Sequence, residues 1–228
     1  VKVAEIYRSL QGEGLLTSVD SVFVRTSGCN LRCWFCDTPF ASWQPEGEDL
    51  SVDEILSRVE QLEVPHVVLT GGEPMLFAEL VPLAAGLRRL AKHITIETAG
   101  TLYLPVECDL MSISPKLSNS APPAERDPRW NKRHERSRHV PEVIRRLVRE
   151  YAYQLKFVVD RPGDLAEIEH YLMEFPEIDR ARVLLMPQGT DLATLDAHTH
   201  WLKPACREAG FQFCPRKQIE WFGLTRGT

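Results

Sequence analysis

The segment GCNLRCWFCDT, residues 28 to 38, sets Cys29, Cys33 and Cys36 within eight positions and follows them with Asp37 and Thr38. Soft thiolates at this density point to metal chemistry. A structural zinc site takes four ligands, commonly as two pairs split by a longer loop. Here the spacing is Cys-x3-Cys-x2-Cys, and no His or fourth Cys lies within the next 29 residues. His66 or Cys108 would have to fold back to complete such a site. Iron-sulfur clusters are the other common thiolate chemistry. Three cysteines on a four-iron cluster leave one iron without a protein ligand, free to chelate something else, which is a catalytic arrangement.

A second feature, Thr70-Gly71-Gly72-Glu73-Pro74, directly follows the apolar run HVVLT. Glycines at a strand's end let backbone approach a ligand and leave N–H and C=O groups free to bind it. An ordinary strand-to-helix turn would use the same residues. Cys108, Cys206 and Cys214 read as small buried hydrophobes.

The elements that must carry these residues show a regular rhythm. Residues 22–26, 66–70, 93–98, 109–114, 155–160 and 182–187 are short apolar, β-branched runs and predict buried strands. Between them, 51–62 has Ser51 and Glu54 in capping-box spacing and an apolar face, and predicts a helix. Further helices are predicted over 76–91, weakened by Pro82 and Gly86, over 141–151, and from Asp164. Asp191 predicts a cap on a last helix, broken or kinked near Pro204 and ended by Gly210. Strand-helix alternation argues for one α/β domain over 1–228 with a parallel sheet covered by helices, as a barrel, a partial barrel or a doubly wound sheet. Residues 115–140 depart from the rhythm, being rich in Pro, Ser and charge, and predict an ordered excursion or a mobile loop. From Arg126 to Arg149 there are nine Lys or Arg against three Asp or Glu, which predicts a solvated basic face, or else a patch for RNA or an acidic partner, without an aromatic stacking pattern behind it.

A length of 228 residues with 43% hydrophobic composition suffices for a substantial core, and a net charge of −5 argues against nucleic acid or acidic membranes as partners of the whole. No apolar run approaches a membrane span and no signal-peptide pattern opens the chain, so a cytoplasmic protein acting on small molecules is expected. Thiols there stay reduced, which favours metal over disulfides for the clustered cysteines.

Cys29-x3-Cys33-x2-Cys36, with aromatic Phe35 before the third cysteine and GGEP downstream, resembles the cluster loop and SAM element of radical S-adenosylmethionine (SAM) enzymes. The resemblance implies a partial (β/α) barrel of about six parallel strands, with a [4Fe-4S] cluster on the three cysteines. In that superfamily the open iron binds SAM, and cluster-driven cleavage yields a radical that removes hydrogen from substrate. EIYRSLQGEG (5–14), Arg25, Cys36-Asp37-Thr38, SPKLSNS (114–120) and the final WFGLTRGT narrow the likeness to the 7-carboxy-7-deazaguanine synthase family. That family contracts 6-carboxy-5,6,7,8-tetrahydropterin to 7-carboxy-7-deazaguanine with loss of ammonia, in queuosine and deazapurine biosynthesis.

Carried over position by position, the family implies pterin contacts from Leu10, Gln11, Gly12, Glu13, Thr70 and Thr228. Arg25 would meet the substrate carboxylate with fork geometry, or else pair with a core acid. SAM contacts are implied for Phe35, Asp37, Gly71, Gly72, Glu73, Ser114, Pro115, Lys116, Met186, Pro187, Gln188 and Gly189. Thr38 matches a magnesium ligand, a hard but weak oxygen donor that leaves Mg²⁺ dependent on substrate oxygens. Glu97 and Thr98, at another strand end, could face the same cavity, without an assigned role. A reductant such as flavodoxin or ferredoxin and a homodimer are further implications. A glycyl-radical activating enzyme shares the cysteine spacing but has no use for the LQGEG opening or Arg25.

Overall fold

The computed structural model describes residues Val1–Thr228. The six runs read as strands are strands: β2 (Asp20–Thr26), β4 (His66–Gly71), β5 (His93–Thr98), β6 (Leu110–Ile113), β7 (Tyr153–Val159) and β8 (Val183–Pro187). Each pairs in parallel with the next. A short β9 (Gln212–Phe213) extends the parallel set, while β1 (Lys2–Leu10) and β3 (Glu48–Asp49) add an antiparallel edge. The order is β3-β1-β2-β4-β5-β6-β7-β8-β9, a linear sheet curved into a partial barrel.

The strands are not apolar throughout. Side chains alternate across a sheet, and Val22, Val24, Val67, Leu69, Ile94, Ile96, Met111, Ile113, Leu155, Phe157, Val183 and Leu185 form one face, all fully buried in the main core. Helices pack on that face. The opposite face carries Arg25, Thr70, Glu97, Ser112, Lys156 and Met186, all of which line a cavity. The register sets Arg25 beside Thr70 and Glu97 beside Ser112.

The helices are α1 (Pro39–Ser42), α2 (Val52–Glu60), α3 (Leu80–Arg89), α4 (Pro128–Ser137), α5 (Pro141–Glu150), α6 (Asp164–Glu174), α7 (Leu192–Ala209) and α8 (Lys217–Phe222). The capping box at α2 is closed from both sides, Glu54 N donating to Ser51 Oγ at 3.2 Å and Ser51 N to Glu54 Oε2 at 2.8 Å. The region 76–91 begins with a 3-10 turn, and α3 starts at Leu80, so Pro82 falls in a first turn that needs no N–H from it. Asp164 is not a cap. Its buried carboxylate instead accepts from Asp160 N, Arg161 N and Asn119 Nδ2. Asp191 caps α7 by accepting from Thr194 N, and α7 runs unbroken through Pro204 to Gly210 in the left-handed conformation. No helix is long and apolar enough to cross a membrane.

The 115–140 excursion is ordered. Its α4 turns Trp130 and the fully buried His134 inward, and Asn119 anchors its start to Asp164 at 2.7 Å.

Candidate active site

A cavity of about 300 Å³ opens at the C-terminal ends of the parallel strands, where β/α folds build their sites. Arg25 is the penultimate residue of β2, and the chain passes through Gly28 directly into the cysteine loop. Cys29, Cys33, Cys36, Phe35, Asp37 and Thr38 line the cavity from that side. Thr70, Gly71 and Gly72 line it from the end of β4, Ser114 and Lys116 from the end of β6, and Met186 from β8. Leu10, Gln11, Gly12 and Glu13 enter from the turn after β1, and Thr228 from the chain end. Glu73, Pro115, Pro187, Gln188 and Gly189 are not among the lining residues. Gly189 spends its carbonyl on Arg216 Nη1 at 2.6 Å.

Gly71 and Gly72 have a different immediate purpose from ligand approach. A Cβ at Gly71 would strike the Thr26 backbone and one at Gly72 the Gly28 carbonyl. The glycines therefore bring the end of β4 against the start of the cysteine loop, where Glu73 N donates to Gly28 O at 2.8 Å. The fully buried Glu73 carboxylate accepts from Thr98 Oγ1, Ala99 N at 2.8 Å and Met75 N at 3.1 Å. Burial raises its pKa, and only backbone at this residue remains to meet a ligand.

Charge in the cavity is organised around Glu13. Lys156 Nζ, 4% exposed, donates to Glu13 at 3.1 Å and to Glu97 at 2.8 Å. Arg216, 7% exposed, reaches Glu13 at 3.4 Å and also pairs with Asp37. Burial alone would raise the Glu13 carboxyl, but the charges of Lys156 and Arg216 outweigh it and hold the pKa at about 2. Thr70 Oγ1 donates to the second oxygen of Glu97 at 2.8 Å. Arg25 does pair with an acid, Glu5 at 3.1 Å, and it donates to Tyr7 Oη at 2.6 Å. Its Nη1 keeps no protein acceptor, so a cavity-lining cation remains available to an anion.

The cysteine loop is held from outside. Arg32 N donates to His134 Nδ1 at 3.1 Å, which leaves His134 Nε2–H to donate to Ser120 Oγ at 2.9 Å. Trp34 donates through its backbone N to Ser120 O and through Nε1 to Asn119 O at 2.7 Å. Trp43 Nε1 donates to Cys33 O at 2.9 Å. Burial pushes the Cys29 thiol up to about 11 and the Cys33 thiol up to about 12. Such thiols ionise only beside a strong cation, as metal supplies.

The sequence profile of the radical SAM superfamily matches residues 23–147. The chain is 48% identical to 7-carboxy-7-deazaguanine synthase of Rhodopirellula baltica, over 99% of this chain and 88% of the relative. Identity to the protein of that name from Halobacterium salinarum is 44%, over 95% of this chain and 88% of the relative. The chain belongs to the 7-carboxy-7-deazaguanine synthase family, within the radical SAM superfamily. A crystal structure of QueE from Escherichia coli superposes with a TM-score of 0.71, covering 95% of this chain and 93% of that one. At 22% identity that likeness bears on the fold alone.

Radical SAM membership implies a [4Fe-4S] cluster and SAM, and the donor set fits them. Nowhere do three His, Cys, Asp or Glu side chains converge on a point that could hold one metal ion. A cluster instead takes each thiolate on a separate iron, and needs only that the cysteines line one cavity. His66 opens β4 and Cys108 precedes β6, both at the far end of the sheet, about 16 Å away along a six-residue strand. They cannot complete a zinc site with the loop. Ser42 Oγ lies 3.1 Å from Cys36 Sγ, a donor ready for a thiolate.

Lys156 and Arg216 went unread in the sequence, along with Glu5, Tyr7 and Gln218. A lysine in the middle of LKFVV was a signal of the same kind as the arginine in VFVRT, since neither belongs in an apolar strand without partners. Arg216, after a proline near the chain end, gave no such signal.

Proposed function

We propose that this protein converts 6-carboxy-5,6,7,8-tetrahydropterin to 7-carboxy-7-deazaguanine in the cytoplasm, and that Mg²⁺ assists. The observation that supports this most is the convergence, in one cavity, of three cysteines with Arg25, Gln11 and Glu13. Cys29, Cys33 and Cys36 would hold the cluster, and backbone of Gly71 to Glu73 with Ser114 and Lys116 would hold SAM. When bound, cluster and SAM together supply a radical able to remove a hydrogen atom from carbon.

The remaining tasks fall to the chain itself. Arg25, braced by Glu5 and Tyr7, offers its free Nη1 to the substrate carboxylate. Glu13 stays ionised under Lys156 and Arg216, and so presents only acceptors to the N–H edge of a pterin. Gln11 Nε2 is spent on Ser21 Oγ at 2.9 Å, which fixes its amide and leaves the oxygen for the ligand. Thr38, 3.7 Å from Cys36 Sγ, would hold Mg²⁺ through its hydroxyl oxygen, a hard donor, and the cation would supply positive charge that favours an anionic substrate.

The test is an oxygen-free assay of reconstituted protein with SAM, reductant, Mg²⁺ and carboxytetrahydropterin, read by mass spectrometry. Product is expected from the parent protein and neither product nor 5′-deoxyadenosine from Cys33→Ala. SAM cleavage without 7-carboxy-7-deazaguanine would sink the substrate assignment.

A further inference from the structure

The basic stretch from Arg126 to Arg138 has no part in the cavity. Arg129, Lys132, Arg133 and Arg136 fall at i, i+3, i+4 and i+7 on α4, one stripe of a helix, and all are exposed. Exposed Arg126 precedes them. Among the basic residues from 126 to 138 only Arg138 has found carboxylates, Glu135 and Glu167. In a chain of net charge −5, unpaired cations gathered on one helix face are a local reversal of sign.

That helix abuts the outer side of the cysteine loop. The Trp130 ring is flanked by the Arg32 guanidinium at 4.2 Å and that of Arg133 at 4.7 Å. Trp34, one residue past Cys33, is 48% exposed although both its N–H groups are tied to residues 119 and 120. Its ring meets Phe35 edge-on at 5.3 Å, and Phe35 lines the cavity that Trp34 does not. The loop thus has an inner face on the cavity, with Phe35, and an outer face carrying the exposed Trp34, and its Arg32 is stacked on Trp130 of the basic helix.

We infer that the stripe of Arg129, Lys132, Arg133 and Arg136, with Arg32 and Trp34, is the docking face for an acidic one-electron carrier protein. The inference rests on the radical SAM reading above. One electron leaves the carrier, which is oxidised by one, and enters the cluster, which is reduced by one; no bond forms or breaks. Charge complementarity would steer encounter and set orientation, so the effect belongs to association and is salt-dependent.

The experiment compares the parent protein with R129Q/K132Q/R136Q, which spares the Trp130 sandwich, after thermal unfolding shows both are folded. Binding of a reduced flavodoxin is titrated calorimetrically at low and physiological salt. SAM cleavage is then driven either by that flavodoxin or by dithionite. Binding should weaken about tenfold or more at low salt and lose most of its salt dependence, while the dithionite rate stays unchanged. Equal flavodoxin affinity in both proteins overturns the inference. So does an equal fall with both reductants, which would mark α4 as structural, and so does a parent that binds a single-stranded RNA in place of flavodoxin. A parent that cleaves no SAM with dithionite would instead overturn the radical SAM reading itself, a result read independently of the binding titration.

Discussion

A lysine in the interior strand of a sheet is tolerable only if its charge is matched, and Lys156 is matched twice, by Glu13 and Glu97. Replacing it with Met leaves two carboxylates facing each other in a buried site. Unfolding free energy in urea should fall by about 3–5 kcal/mol, the usual cost of stripping one partner from a buried pair. The same cluster sets an acid limit. Because the folded Glu13 pKa is depressed from 4.5 to about 2, its contribution is present above pH 4.5 and is lost as pH falls toward 2. The contribution is about 3 kcal/mol, and Glu13→Gln should flatten the pH dependence of stability across that window. These residues were half legible. Arg25 stood out as a charge in an apolar run, and its pairing with Glu5 fulfils the plainer of its two readings without removing it from the cavity. Glu13 was singled out for a ligand, yet the two cations that define its state lie far along the chain, where no local pattern announces them.

At the scale of elements, the excursion shows how a segment with no apolar stripe can be fixed by what it touches. Its α4 has a polar sequence, but it buries His134 with both ring nitrogens bonded, one to the backbone of the cysteine loop. His134→Phe would remove the acceptor from Arg32 N and cost about 1–3 kcal/mol for the orphaned groups. Iron retained per chain after gel filtration should drop along with it, since the loop loses its outer support. The six parallel strands and α2, α5 and α7 were legible because apolar runs, a capping box and a capping aspartate are local signals. β1 was not, because eight of its nine residues are partly or fully exposed and it is held by pairing with β2. The apolar runs also hid an alternation. One face of each strand packs on helices, and the other carries the cavity's polar groups.

Across the whole molecule, the site closes only when the two chain ends meet. Lys217 N donates to Gly12 O at 3.0 Å, Arg226 reaches Glu5 at 2.9 Å and stacks on Phe40 at 3.8 Å, and residues 223–228 line the cavity. Removing residues 224–228 should weaken pterin affinity by about tenfold, roughly 1.4 kcal/mol, as measured by KM, with uncoupled SAM cleavage retained. Loss of both together would place the tail in the radical machinery instead. The pairing of Glu13 with Arg216 has one more consequence. The two are 203 residues apart, which the ribosome takes about 10 to 40 s to traverse. Throughout that interval Glu13 lacks one of its two cationic partners. The charge cluster around Glu13 is therefore completed only after Arg216 has been made.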